Sequence, residues 1–126
     1  PVAVGKVLDR PAIEELRAAV REVHVDERVE EYIVRLVQAS RERNRDKAEY
    51  VRFVEYGASP RASLCLYRCA KVKALLSGRV FVIPEDVKAV APPVLRHRIL
   101  LTYEAEAESL TPDTVVAQIL KGVEVP

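Results

Sequence analysis

At four places this chain sets a proline near the head of a stretch whose apolar residues recur every three or four positions: Pro11, Pro60, Pro84 and Pro112. In a helix a proline is harmless only in the first turn, where its missing N–H is not needed and its fixed φ suits the helix. Each proline therefore marks a helix start, and the spacing between them leaves room for little else. Asp9 and Pro11 open the first helix, with Ile13, Leu16, Val20 and Val23 as one apolar stripe. Asp26 caps a second, with Glu27, Glu30 and Glu31 near its positive end and Val29, Ile33, Leu36 and Val37 on its buried face. A third runs from Ser59 to about Ser77, with Ser59 as N-cap, Pro60 at the first helical position and Gly78 as the stop. Its apolar residues Leu64, Leu66, Tyr67, Ala70, Ala74 and Leu75 cover more than one face, which predicts the central helix.

Pro84 begins a fourth helix, with Glu85 and Asp86 in its first turn. Pro92-Pro93 is expected to interrupt it at Ala91, with one further turn to His97. Thr111-Pro112-Asp113 opens the last helix, through Leu120, with Gly122 as its stop. Tyr50 to Tyr56 alternates loosely and reads as extended, and the mixed-charge connector from Arg41 to Arg52 reads as solvated. Val80–Ile83 and Ile99–Leu101 are short β-like runs that could pair with each other. The expectation is an all-α fold, a small helical bundle over residues 9–126 with at most one short strand pair. Residues 1–8 read as an extended linker.

A chain of 126 residues, 49% hydrophobic and 31% charged, suits one globular domain with a modest core. It has no apolar run of membrane-spanning length and no signal-peptide pattern. It begins at Pro1 and contains no methionine, as expected of a segment of a longer protein. The net charge of +1 conceals an uneven distribution: residues 53–103 carry eight basic and three acidic side chains, while residues 104–126 carry one and five. An anionic ligand would be drawn to the basic middle. Cys65 and Cys69, four apart on a helix, have Cβ atoms about 5–6 Å apart, too far for an unstrained disulfide. They read as buried reduced thiols in a reducing, cytoplasmic setting. Their spacing and the two distant histidines suggest no metal site.

Sequence motifs for self-contained catalysis are missing: there is no Gly-x-x-x-x-Gly-Lys-[Ser/Thr] loop, no His-Glu-x-x-His and no Gly-x-Ser-x-Gly. The chain is not expected to be an enzyme on its own. What stands out is Arg61, placed in the first turn of a helix whose positive end disfavours a cation. A helix N-terminus with a guanidinium suits a phosphate; the plain alternative is an exposed arginine paired with a carboxylate. Arg61, Cys65, Arg68 and Val72 share one line of the helix, whereas Lys71 and Lys73 read as solvated.

Gly57-Ala58-Ser59-Pro60-Arg61-Ala62-Ser63-Leu64 resembles the signature that opens a lid helix in MoxR-type AAA+ ATPases. Tyr32-Ile33-Val34-Arg35-Leu36-Val37 with Ala39-Ser40-Arg41 resembles the second lid helix of that family. Val82-Ile83-Pro84-Glu85-Asp86-Val87 through Arg96-His97-Arg98 resembles its later block, and Leu110-Thr111-Pro112-Asp113 its closing helix start. The resemblance implies the C-terminal lid of such an ATPase, without the core that carries the phosphate loop and holds ATP and Mg2+. It implies that Arg61 is the sensor 2 arginine, reaching the terminal phosphates, with Ser59 and Pro60 shaping the helix start and a ligand contact by them as second choice. Arg68, Arg96 and Arg98 are candidates for subunit or field-tuning contacts; for Arg96, His97 and Arg98 the structural reading, capping carbonyls, is slightly preferred. Tyr32 and Ile33 could meet an adenine or simply be core. The implied partners are the ATPase core, neighbouring subunits of a ring, expected to be a hexamer, and proteins with von Willebrand factor A domains. Two features depart from the family pattern: a longer, more basic connector between Arg41 and Tyr56, and Ile83 where a capping Thr or Ser is usual. The alternative functions are a helical nucleic-acid-binding module, disfavoured by the acids outside the basic middle, and a free-standing protein-interaction bundle.

Overall fold

Every fourth residue of the segment Arg61–Leu76 is small or apolar on one side: Ala62, Leu66, Ala70 and Ala74 are all fully buried. Three alanines on a ridge let another helix approach closely, and packing along the i±4 row follows. This 16-residue helix is at the centre of a computed structural model that describes residues 1–44 and 46–126. In chain order the elements are α1 (Arg10–Glu22), α2 (Glu27–Ala39), a 3-10 helix (Glu49–Phe53), β1 (Val54–Tyr56), α3 (Arg61–Leu76), α4 (Pro84–Leu95), β2 (Leu100–Leu101), α5 (Tyr103–Ala107) and α6 (Pro112–Gly122). Helix α3 packs along α4 and also meets α1 and α2, while α6 closes the bundle against α4 and α2. The core joins Tyr32, Ile33 and Leu36 of α2 to Leu66, Val87, Leu95, Val116 and Ile119. The all-α expectation with one short strand pair is borne out.

Several local expectations are corrected. The strand pair is Val54–Tyr56 with Leu100–Leu101, antiparallel, and not Val80–Ile83 with Ile99–Leu101. Thr102 N–H donates to Phe53 O at 2.9 Å and extends that pairing. Phe81 instead bridges His24 in parallel, through His24 N–H to Val80 O (2.8 Å) and Val82 N–H to His24 O (2.9 Å). Pro92 and Pro93 do not break α4, which runs on to Leu95. They lie in its last turn, where two donors are lost but burial of Val94 and Leu95 keeps the segment helical. Gly78 does stop α3, with φ +78°. Gly122 does not play that role, since it is the last residue of α6 and has no positive φ. The five-residue α5, capped by Thr102, was not anticipated. The expected connector over 41–52 includes Arg45, which lies outside the described residues.

Lys71 is the largest departure from a solvated reading. It is buried, and its Nζ donates to Arg21 O at 2.8 Å, supplying a cation to the C-terminal carbonyls of α1. Leu64, expected among the packed residues of α3, is 59% exposed. The stripe of α1 forms as expected, yet no residue of that helix is buried. Its Asp9 cap is in place, accepting Ala12 N–H at 2.9 Å.

Candidate functional site

The start of α3 is held by the end of α2. Ser40, 1% exposed, donates its hydroxyl to Val37 O at 2.6 Å and accepts Ala58 N–H at 2.9 Å. Gly57 passes so close that a Cβ there would collide with the Ser40 carbonyl and the Arg41 side chain. Tyr50 Oη takes up the Ala39 carbonyl at 3.1 Å. Buried Ala58 is thus pinned, and the next three residues, Ser59, Pro60 and Arg61, emerge into solvent. The roles of Ser40, Gly57 and Tyr50 were not read from the sequence. The signals were there: a polar residue ending an apolar helix, and a glycine just before a helix start.

The helix begins one residue later than expected. Pro60 is the capping residue, in the helical region at φ −54° and ψ −25°, and no side chain caps α3. The Ser59 hydroxyl makes no capping bond; the first turn closes instead through backbone, Ala62 N–H to Ser59 O (2.8 Å) and Ser63 N–H to Pro60 O (3.0 Å). A proline already in the helical region carries Ser59 one step outside the position where its hydroxyl would reach the second or third helical N–H. The opening turn of α3 has no acidic residue, and Arg61 takes no hydrogen bond or ion pair among the described residues. The plain alternative, an arginine neutralised by a carboxylate, is therefore not what forms among the described residues.

The other candidate arginines divide. Arg68, two turns along α3, is exposed and has no ion pair among the described residues. Arg98 is brought to the same line, donating to Cys65 Sγ at 3.7 Å, one turn after Arg61. Arg96 points elsewhere, to Asp113 Oδ1 at 3.1 Å, and ties the end of α4 to the start of α6. Cys65 and Cys69 are free and half-buried. Burial pushes the Cys69 thiol up, the neighbouring Cys65 adds to this, and Arg98 opposes it. Tyr32 and Ile33 are core residues at 0% and 2% exposure. The described residues include no cluster of three or more His, Cys, Asp or Glu able to hold a metal ion, and no helix is long and apolar enough to cross a membrane.

Ile83 offers α4 no capping side chain, but Asp86 takes the Ile83 N–H at 2.9 Å. Asp86, 2% exposed, also receives both terminal nitrogens of Arg79 at 2.6 Å each. Burial pushes the Asp86 carboxyl up; the Arg79 hydrogen bonds, the Ile83 N–H and the guanidinium charge outweigh it and hold the carboxyl below its ordinary 3.8.

The AAA lid domain model matches residues 51–119. The chain belongs to the AAA lid domain family. It is 44% identical over 97 residues to the chaperone MoxR1 of Mycobacterium tuberculosis, a match covering 76% of this chain and 26% of that protein. Protein YeaC of Bacillus subtilis is 37% identical over 111 residues, covering 88% of this chain and 32% of YeaC. A crystal structure of a proposed ATPase from Cytophaga hutchinsonii superposes with a TM-score of 0.86 at 36% identity, over 92% of this chain and 36% of that one. The chain thus spans about a quarter to a third of the relatives it matches. The MoxR-type lid reading is borne out at the level of family and fold.

Proposed function

We propose that this AAA lid domain is the nucleotide-responsive part of an ATP-driven machine, with Arg61 as its sensor 2 residue. The observation that carries the reading is the exposed Arg61 guanidinium at the start of α3, without a partner among the described residues, on a backbone pinned by Ser40 and Gly57. An arginine fork suits the planar oxygens of a phosphate, and a helix start adds favourable N–H groups. Holding the fork on rigid backbone lowers the ordering cost of meeting an anion. Bound ATP supplies the phosphoryl chemistry; its phosphate loop and Mg2+ site belong to an ATPase core, with residues 1–8 as the link to it. Arg61 binds and orients the terminal phosphate, stabilises charge as it develops there, and transmits its loss to α3. Ser59 and Pro60 set the direction in which Arg61 leaves the bundle. Arg68 and Arg98 add positive potential along the same face.

The wider reading is a cytoplasmic ring, a hexamer, in which the lids convert hydrolysis into chaperone-like remodelling of partners carrying von Willebrand factor A domains. The name of the MoxR1 relative, a chaperone, supports this direction. The test is Arg61→Ala in the full-length protein, with Arg61→Lys beside it. ATP turnover should fall at least about tenfold for alanine, and lysine should rescue it only in part. The circular dichroism spectrum should not change. Unchanged turnover with intact fold would reject the sensor role.

A further inference from the structure

Helix α1 is amphipathic, yet its stripe is not buried. Ile13 and Leu16 remain 41% and 46% exposed, and facing them across a trough of about 690 Å³ is Val72 of α3, 41% exposed. The rim is cationic: Arg17 and Arg21 stand on the α1 wall and Arg68 on the α3 wall. Among the described residues that line the trough there is no carboxylate. Arg17 shares one N–H with Glu14 at 3.1 Å, an exposed contact of small worth. Lys71 is already committed to the Arg21 carbonyl.

From this trough we infer that the α1–α3 face docks a partner helix whose apolar stripe is flanked by Asp or Glu. Both walls are helices with internally bonded backbones, so no free strand edge offers main-chain pairing. An occupant must satisfy its own backbone, and a helix laid ridge into groove does so. The lining residues of α1, from Ile13 to Arg21, give a trough about 13 Å long, room for two to three turns. Apolar area drives the contact, and the arginines select acidic flanks. The neighbouring hollow towards the start of α3, which shares Tyr67 and is lined by Ile33, Val34 and Leu64, has Glu30 and no cation. The two hollows thus differ in sign, so an acidic helix is directed to the one between α1 and α3. A lipid surface suits this face less, because its apolar groups line a concavity and do not protrude. The inference does not rest on Arg61, although Arg68 is common to both faces.

The probe is a fluorescent synthetic helix of about 18 residues with a Leu/Ile stripe flanked by Glu, compared with a Lys-flanked and a proline-interrupted version. Fluorescence anisotropy against this chain should show the Glu-flanked helix binding at least about tenfold tighter than either control. Raising salt from about 0.1 M to about 0.5 M should weaken it severalfold. Leu16→Asp should cost about tenfold, and Arg17→Glu with Arg68→Glu should reverse the preference towards the Lys-flanked helix. These positions are exposed, and unchanged thermal melts will show that the variants fold. Equal affinity for the three peptides, or none for any, overturns the inference. So does preferential capture by phosphatidylserine vesicles, or a concentration-dependent dimer abolished by Leu16→Asp, which would make the occupant a membrane or a second copy.

Discussion

Ser40 and Ala58, eighteen residues apart, share a buried hydrogen bond of 2.9 Å in which a helix-ending hydroxyl receives the backbone N–H just ahead of the exposed arginine. The same hydroxyl donates to Val37 O, so it both gives and receives a hydrogen bond. Its removal strands an N–H in the core.

Ser40→Ala should therefore destabilise the chain by about 1–2 kcal/mol. Gly57→Ala should cost more, about 2 kcal/mol or above, since its Cβ meets the Ser40 backbone carbonyl as well as the Arg41 side chain, and the backbone cannot swing aside. Urea unfolding at constant m-value checks both; equal and negligible effects would mean the junction is not a clamp.

Asp86 makes stability depend on acid. Its carboxyl sits below 3.8 in the folded chain, so the folded state binds this proton less readily than the unfolded one. The stabilisation is complete above about pH 4 and is lost as pH falls through the depressed folded value. Asp86→Asn should flatten that part of the profile. Asp86→Ala should cost about 2–3 kcal/mol at neutral pH, because a nearly buried ion pair is broken from one side. Thermal melts between about pH 2 and pH 7 read both effects; parallel profiles for wild type and Asp86→Asn would contradict the assignment.

Lys71→Met keeps the stem and removes the ammonium. Helix α1, with no buried residue of its own, should then open more often, by about 1 kcal/mol or roughly fivefold. Amide hydrogen exchange should quicken in α1 and leave α4 alone. Uniform quickening would mean that Lys71 supports the whole bundle.

Leu66→Ala and Leu64→Ala form a matched pair on one helix. The first removes a fully buried side chain and should cost about 2–4 kcal/mol, the second about 0.5 kcal/mol or less. Similar losses would refute the assigned face of α3.

Helix existence was readable because caps and apolar recurrence are local signals. Asp9, Asp26 and Thr111 all accept the N–H bonds expected of them. Ser59 misled by one position because Pro60 already lies in the helical region, a fact set by how Gly57 and Ala58 are held. Strand pairing was misread for a different reason. Two short apolar runs pair with whatever the helices bring near, and α4 carries Leu100 to Val54–Tyr56 and not to Phe81. Lys71 looked solvated because its acceptor, Arg21 O, is fifty residues away and is a backbone atom with no sequence signature. The prominence of Arg61 was legible as a cation in a poor place; that no carboxylate of the described residues meets it required the fold.

The sixteen residues of α3 extend about 24 Å from Arg61 to Leu76, and the pin at Ala58 lies at the Arg61 end. Yet α3 is no free shaft, because Ala62, Leu66, Ala70 and Ala74 hold its whole length in the core. Whatever displaces the arginine must carry α4 along with α3, and Lys71 ties α1 to the same body.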